Sequence, residues 1–374
     1  MTDQMQKKKT IVITGAAGQL GRHCSAKLTY HYGYEVIGID RQSFSNAKTL
    51  SESIEKADVV LHLAGVNRGD DEVVRSGNLQ IVDHLIEACK DAKSSPHIIY
   101  SSTIQIHNDS LYGKVKREVG ERLAKYCADT SAAYTSLILP NLFGELSKPY
   151  YNNFTATFCD QIVEGKPLTI HNDSKVTLLH YGQVADLVAD VIESNHHGDL
   201  AVSNGEETSV QTVADKLQSL YDTYKTGQLP DLRDPFDLRL FNTLRVRMFE
   251  KHFPMSLVRH ADARGSFFEC VRAENPGQTS FSTTVPGIMR GDHFHFEKVE
   301  RFIVLSGQAR IRVRNIFGTD TYEFDVDGNE PCFIDMPPLH THNITNTGDS
   351  ELLTLFWSHD FFDPNRTDTY SEAV

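Results

Sequence analysis

Eleven residues near the start of the chain, IVITGAAGQLG from Ile11 to Gly21, restrict the fold more than any other stretch. The run 11–14 is rich in β-formers and reads as a buried strand. Gly15, Gly18 and Gly21 follow at three-residue spacing, ahead of a segment that reads as a helix. Glycine lets the backbone turn tightly and approach a pyrophosphate, whose charge the N-terminus of the next helix stabilises. Gln19 and Leu20, between the last two glycines, belong to the same turn. Strand, glycine turn and helix in that order imply a parallel sheet whose strand ends carry a nucleotide.

The segments that follow keep that rhythm. Strands are expected over 11–14, 35–40, 59–63, 97–101 and 135–139, with helices over 79–90 and 114–128 between them. Such alternation predicts βαβ units and a doubly wound, Rossmann-type parallel sheet. From about Asp222 the pattern breaks: YDTYKTGQLPDLRDPFDLRL is rich in turn formers and charge, and reads as connecting structure before a short helix over 241–251. Beyond Leu257 short alternating strands such as RFIVL and ARIRVR are punctuated by Gly, Pro and Asn, the pattern of an all-β barrel or jelly roll. At 374 residues the chain exceeds what one core usually serves. Two domains are expected, residues 1–245 and 246–374.

A formal net charge of −13 argues against nucleic acid or an anionic membrane as partner. The start, MTDQMQKKKT, has no long apolar stretch after its lysines, so neither a leader peptide nor a membrane span is expected. Six scattered cysteines without a close pair fit a reducing, cytoplasmic setting.

Three further constellations carry chemistry. Asp40-Arg41 lies about 20 residues past the glycine turn, where a Rossmann fold reads the adenosine ribose. Asp40 would accept from a free 2′-hydroxyl and favour NAD; Arg41 would pair with a 2′-phosphate and favour NADP, toward which the reading leans. Tyr112 and Lys116 are four apart and share one helix face. An ammonium there is expected to lower the phenol pKa toward working pH and make it an acid or base. Thr103, at the end of the fourth strand, could hold a substrate oxygen beside Tyr112. Late in the chain, His293 and His295 are two apart and project from one face of a strand. With Glu300 and His342 they make a plausible site for Zn, Fe, Mn or a similar ion. His340, Lys298 and Tyr322 lie near these motifs as candidate bases, none of them assigned.

The N-terminal residues resemble an extended short-chain dehydrogenase/reductase over about residues 9–220, including VVLHLAGVN from Val59 to Asn67. The resemblance implies nicotinamide binding by the glycine turn and by Leu63, Ala64 and Gly65, catalysis by Thr103, Tyr112 and Lys116, and nucleotide-sugar substrates. Lys116 would also hold the cofactor ribose. The C-terminal residues resemble the cupin signature, with Leu339 where its second motif has a glycine. Asp262 to Glu269 and Pro286 to His293 resemble sugar-nucleotide 3,5-epimerases, whose metal-free base would fall on His293. The neighbouring His295 restores a metal pattern, and His293 is read as a ligand.

Together the two parts resemble the CapF family (CapF, WbjC and FnlB type) of bifunctional capsule and O-antigen enzymes. That resemblance implies C3 epimerisation of UDP-2-acetamido-2,6-dideoxy-hexos-4-ulose with one divalent metal, zinc expected. NADPH-dependent C4 reduction to UDP-N-acetyl-L-talosamine follows, on the route to N-acetyl-L-fucosamine. A homodimer is expected. The competing readings are a 4-ketoreductase of another UDP- or dTDP-linked deoxysugar with a structural metal, and a non-catalytic NADP-sensing regulator.

Overall fold

The computed structural model describes residues 8–374. Alternation produces the expected strands and three helices, and adds α2 and α3, in the order β1 (Thr10–Thr14), α1 (Gln19–Tyr30), β2 (Glu35–Ile39), α2 (Arg41–Ser45), α3 (Ala47–Glu55), β3 (Val59–His62), α4 (Asp71–Asp91), β4 (His97–Thr103), α5 (Leu111–Thr130) and β5 (Tyr134–Leu139). The chain continues through β6 (Asn141–Phe143), α6 (Phe154–Val163), β7 (Lys175–His180), α7 (Tyr181–Ser194) and β8 (Gly198–Ala201). A six-stranded parallel sheet runs in the order β2-β1-β3-β4-β5-β8. Its central strands are buried on both faces, Ile11 and Ile13 in one cluster and Val12 in the other, which explains their continuous apolar runs. Helices α4 and α5 start eight and three residues before the positions read from periodicity, because Asp70 and Ser110 cap them through Val73 and Gly113.

The chain forms two compact units: residues up to Leu142 with Thr177–Glu207, and Phe143–Val176 with Thr208–Val374. The second unit holds α6, α8 (Val210–Tyr224) and α9 (Pro235–His252) as well as the β-rich part. The stretch read as connecting structure is helical at both ends, where 221–224 close α8 and 235–240 open α9, and is connecting structure only over 225–234. Asp234 accepts from the N–H groups of Phe236 and Asp237, and Pro235 takes the first helical position, where its missing N–H costs nothing. The expected boundary at 245/246 falls inside α9.

Strand β9 (Glu206–Ser209) joins β6 and β7 in a three-stranded sheet, and the β-rich part runs through β10 (Met255–Ser256), β11 (His260–Asp262), β12 (Gly265–Phe267), β13 (Gln278–Thr284), β14 (Met289–Phe294), β15 (Glu300–Ser306), β16 (Gln308–Asn315), β17 (Thr321–Asp327), β18 (Cys332–Met336), β19 (His340–Asn346), β20 (Leu352–Ser358) and β21 (Tyr370–Ser371). Two five-stranded antiparallel sheets result, β10-β18-β15-β20-β13 and β17-β16-β19-β14-β21. Phe302, Val304 and Ile334 of the first sheet share a core with Ile311, Val313 and Ile344 of the second.

Buried polar contacts tie α8 and α9 to the first sheet. Arg301 pairs with Asp335 through two hydrogen bonds of 2.7 and 2.8 Å, and Tyr224 of α8 donates to the same carboxylate at 2.7 Å. Arg245 of α9 donates to the carbonyls of Met336 and Lys298, and Asn242 donates to that of Glu297 at 2.9 Å. These contacts hold the segment that leads into β15.

Candidate active site

The glycine turn follows β1 as expected. Gly15 has φ +72°, and a Cβ there would lie 2.8 Å from the backbone nitrogen of Ala64. A Cβ on Gly21 would meet the carbonyl oxygen of Gly15 at 2.3 Å, so only glycine lets α1 start this close to β1. Gly18, the N-cap of α1, supplies no side-chain cap, the arrangement a pyrophosphate accepts. Gln19 opens α1 and accepts from the Tyr181 hydroxyl at 3.1 Å, while Leu20 packs into the core. Leu63 and Ala64 are drawn to Thr14, whose carbonyl and hydroxyl accept from their N–H groups. Gly65 lies against Asn78, where a Cβ would stand 3.0 Å from the amide oxygen.

Asn78 and His62 were not singled out by sequence reasoning. Buried in α4, Asn78 accepts from Val66 N at 3.1 Å and donates to Val66 O at 2.7 Å, which pins the loop after β3. An asparagine on the buried face of a helix was the available signal. The His62 ring is buried 2.7 Å from the Thr14 hydroxyl, and burial, then Lys116, pushes its pKa down to about 3.

Asp40 caps α2, accepting from Ser43 N at 2.7 Å, and hydrogen bonds to Ser43 hold its carboxyl below the ordinary range. Arg41, the first residue of α2, is exposed beside it. Thr103 ends β4 and accepts from Gln105 N at 3.3 Å, opening a 3-10 turn over Ile104–His107. Gly113 packs α5 against that turn: a Cβ would fall 2.0 Å from the Gln105 carbonyl oxygen. Between Tyr112 and Lys116, one glycine thus draws the first turn of α5 onto the end of β4.

The electrostatics of that pair runs opposite to the expectation. Lys116 is 7 % exposed, its ammonium 4.4 Å from the centre of the Tyr100 ring and 6.0 Å from that of Tyr112. Burial drives Lys116 down to about 7, and burial raises the Tyr112 phenol instead of lowering it. Near neutral pH this lysine is only partly charged, which weakens its pull on the phenol.

Strand pairing gathers the four C-terminal residues. His293 of β14 is in register with His342 of β19, across a bulge in which Asp292 is the extra residue, with φ +60°. Glu300 opens β15, and His295 follows the end of β14. One ligand atom from each of His293, His295, Glu300 and His342 lies within 4.8 Å of the others. Glu300 Oε2 stands 3.2 Å from His295 Nε2 and 3.5 Å from His342 Nε2. Burial would raise the Glu300 pKa, but His295 and His342 outweigh it and hold the carboxyl well below its ordinary value. Burial, then His342 and His295, lowers His293 to about 4.

The cluster fits a divalent cation. Nδ1 of His295 faces the Asp368 carbonyl and Nδ1 of His342 faces that of His340 at 3.2 Å. A carbonyl only accepts, so Nδ1 carries the proton and each Nε2 lone pair points at the cluster. His342 Nε2 is buried without a hydrogen-bonding partner. Leu339 adopts the left-handed conformation itself, at φ +60°, with its N–H donating to His295 O at 2.8 Å. The turn keeps a glycine-like backbone without glycine. Of the candidate bases, His340 lies between Pro338 O and Asn315, Tyr322 donates to Glu250 at 2.6 Å, and Lys298 reaches Thr369 at 3.4 Å.

Residues 11–202 match the NAD dependent epimerase/dehydratase family, and residues 260–370 match the polysaccharide biosynthesis C-terminal domain. A Pseudomonas aeruginosa protein named UDP-2-acetamido-2,6-beta-L-arabino-hexul-4-ose reductase is 32% identical, over 97% of this chain and 98% of its own. The crystal structure of the capsular polysaccharide assembling protein CapF from Staphylococcus aureus superposes with a TM-score of 0.62 at 30% identity, covering 98% of this chain and 100% of that one. UDP-glucose 4-epimerase of Thermus thermophilus, solved with NAD, shares the fold over 57% of this chain and 83% of its own, at TM-score 0.50 and 19% identity. The chain belongs to the NAD dependent epimerase/dehydratase family, in its CapF branch. It is a nicotinamide-dependent oxidoreductase. Among the described residues no helix is long and apolar enough to cross a membrane.

Proposed function

We propose that the protein is a bifunctional nucleotide-sugar enzyme acting on UDP-2-acetamido-2,6-dideoxy-hexos-4-ulose. C3 would be epimerised with a divalent metal that His293, His295, Glu300 and His342 would hold in a cupin barrel, and C4 then reduced with NADPH to UDP-N-acetyl-L-talosamine in its 6-deoxy form. The convergence of those four ligand atoms within 4.8 Å carries the reading, since reduction alone has no need of it. The Pseudomonas relative, named for a UDP-linked 4-ulose, supports the substrate class. NADP is favoured because Asp40 is engaged as a helix cap while Arg41 stands exposed at the N-terminus of α2. A homodimer is proposed through exposed strand edges, such as β13 with Phe281 73 % exposed.

The C4 ketone acidifies the C3 proton, so a base can remove it and return it to the other face. A divalent cation, zinc as the first choice, would supply positive charge beside the developing enolate, and NADPH would supply the hydride. Tyr112 delivers the proton to O4, Lys116 holds the cofactor ribose, and Thr103 orients the substrate oxygen. Reduction removes the ketone on which epimerisation depends, so epimerisation comes first.

Incubation of the UDP-4-keto sugar in D2O without NADPH, read by NMR, is the test. Deuterium should enter C3 with wild type and Tyr112→Phe, and not with His293→Ala. NADPH oxidation should fall about 10²- to 10⁴-fold in Tyr112→Phe. No exchange with wild-type enzyme that still oxidises NADPH would leave a 4-ketoreductase whose metal is structural.

A further inference from the structure

The C-terminal strand β21 is built into the surroundings of the metal cluster. It pairs with β14, placing Ser371 opposite His293 and Tyr370 opposite Phe294. Just before it, Asp368 makes two kinds of contact at once. Its main-chain carbonyl accepts from Nδ1 of His295. Its carboxylate accepts from three successive backbone N–H groups, Phe296 at 2.8 Å, Glu297 at 2.7 Å and Lys298 at 2.8 Å. Those three residues lie within the connection from His295 to Glu300, so one side chain sets the shape of the link between two ligands. Beyond β21, Glu372 N donates to Asp292 O at 3.0 Å, Thr341 donates to Glu372 O, and Arg314 pairs with the Glu372 carboxylate at 2.9 Å. The strand is thereby anchored on both β14 and β19.

We propose that Asp368 is a positioning residue of the metal cluster. Its carboxylate closes the 296–298 turn, which holds its own carbonyl against His295 and so fixes the tautomer and direction of that ring. The proposal rests on the metal-binding reading given above. An ordinary turn cap would influence folding but not the ion; a positioning residue changes affinity and ligand geometry in a folded protein. Groups that orient metal-bound imidazoles typically govern metal affinity by about 10- to 100-fold.

The experiment uses the full-length protein as wild type, Asp368→Ala and Asp368→Asn. Zinc affinity is measured by chelator competition, the visible spectrum of the cobalt(II) form reports ligand geometry, and circular dichroism reports folding. Asp368→Ala should fold, bind zinc about 10- to 100-fold more weakly and show an altered cobalt spectrum. Asp368→Asn, which keeps one acceptor oxygen, should fall between the two. Wild-type affinity and spectrum in folded Asp368→Ala would overturn the proposal. Should that variant not fold, wild-type zinc affinity in Asp368→Asn would do the same. A wild-type protein that binds neither zinc nor cobalt would defeat the metal reading itself.

Discussion

The glycine turn and the His/Glu cluster are built on opposite plans. The turn is contiguous in sequence and works through its backbone: Gly15, Gly18 and Gly21 matter because a side chain would strike Ala64 or the Gly15 carbonyl. The cluster draws on residues from 293 to 342 and works through side chains, the His295 ring aimed by the carbonyl of Asp368 and the His342 ring by that of His340. A local motif needs little outside help to take shape. A cluster spread over several strands inherits its geometry from everything that sets their register, including Arg301–Asp335, Arg245 and the C-terminal strand.

That contrast is open to direct attack. The largest effect is expected from Asp335→Ala, which strands the buried guanidinium of Arg301 and removes the acceptor of Tyr224. A loss of about 3–5 kcal/mol in urea unfolding is expected. Cofactor binding, followed by NADPH fluorescence, should survive at low denaturant; its loss would show that the two plans do not stand apart.

A smaller effect concerns Lys116. Its folded pKa of about 7 lies below the ordinary 10.5, so between these values the unfolded chain binds more protons than the native one. By linkage this residue makes stability rise with pH from about 7 toward 10. Unfolding midpoints at pH 7 and 9 should show the gain in wild-type protein and a smaller one in Lys116→Met. Equal gains would place the burial cost elsewhere.

The smallest effect is expected at Asp40. Loss of its cap should lower the unfolding midpoint only slightly. Preference for NADPH over NADH, measured as a ratio of kcat/KM, should persist in Asp40→Ala and collapse in Arg41→Ala. Preference that follows Asp40 instead would reverse the reading of the cofactor.

Much of this was legible in the chain. Strand positions followed from β-rich runs and glycine punctuation, and the pairings His293/His295 and Tyr112/Lys116 from periods of two and four. Helix α9 was under-read because Pro235 and Asp234 look like loop formers, although they are also a helix start signal. The Tyr112 phenol was expected to titrate lower and is raised instead, since burial penalises both its charged form and that of Lys116. Asp368 carries no sequence signal, because a carboxylate in a polar tail has no distinguishing pattern.

Residue type and spacing therefore determined the doubly wound fold, the nucleotide turn and the residues worth testing as ligands, because neighbours in sequence sample one another's space whatever the rest does. Tertiary structure alone decided that His293 faces His342, that Leu339 holds a left-handed turn, and that Asp368 sits behind His295. These depend on strand register, which is set by a bulge at Asp292 and by contacts across dozens of residues. A slip of one residue turns every side chain to the other face, so no local pattern could specify them.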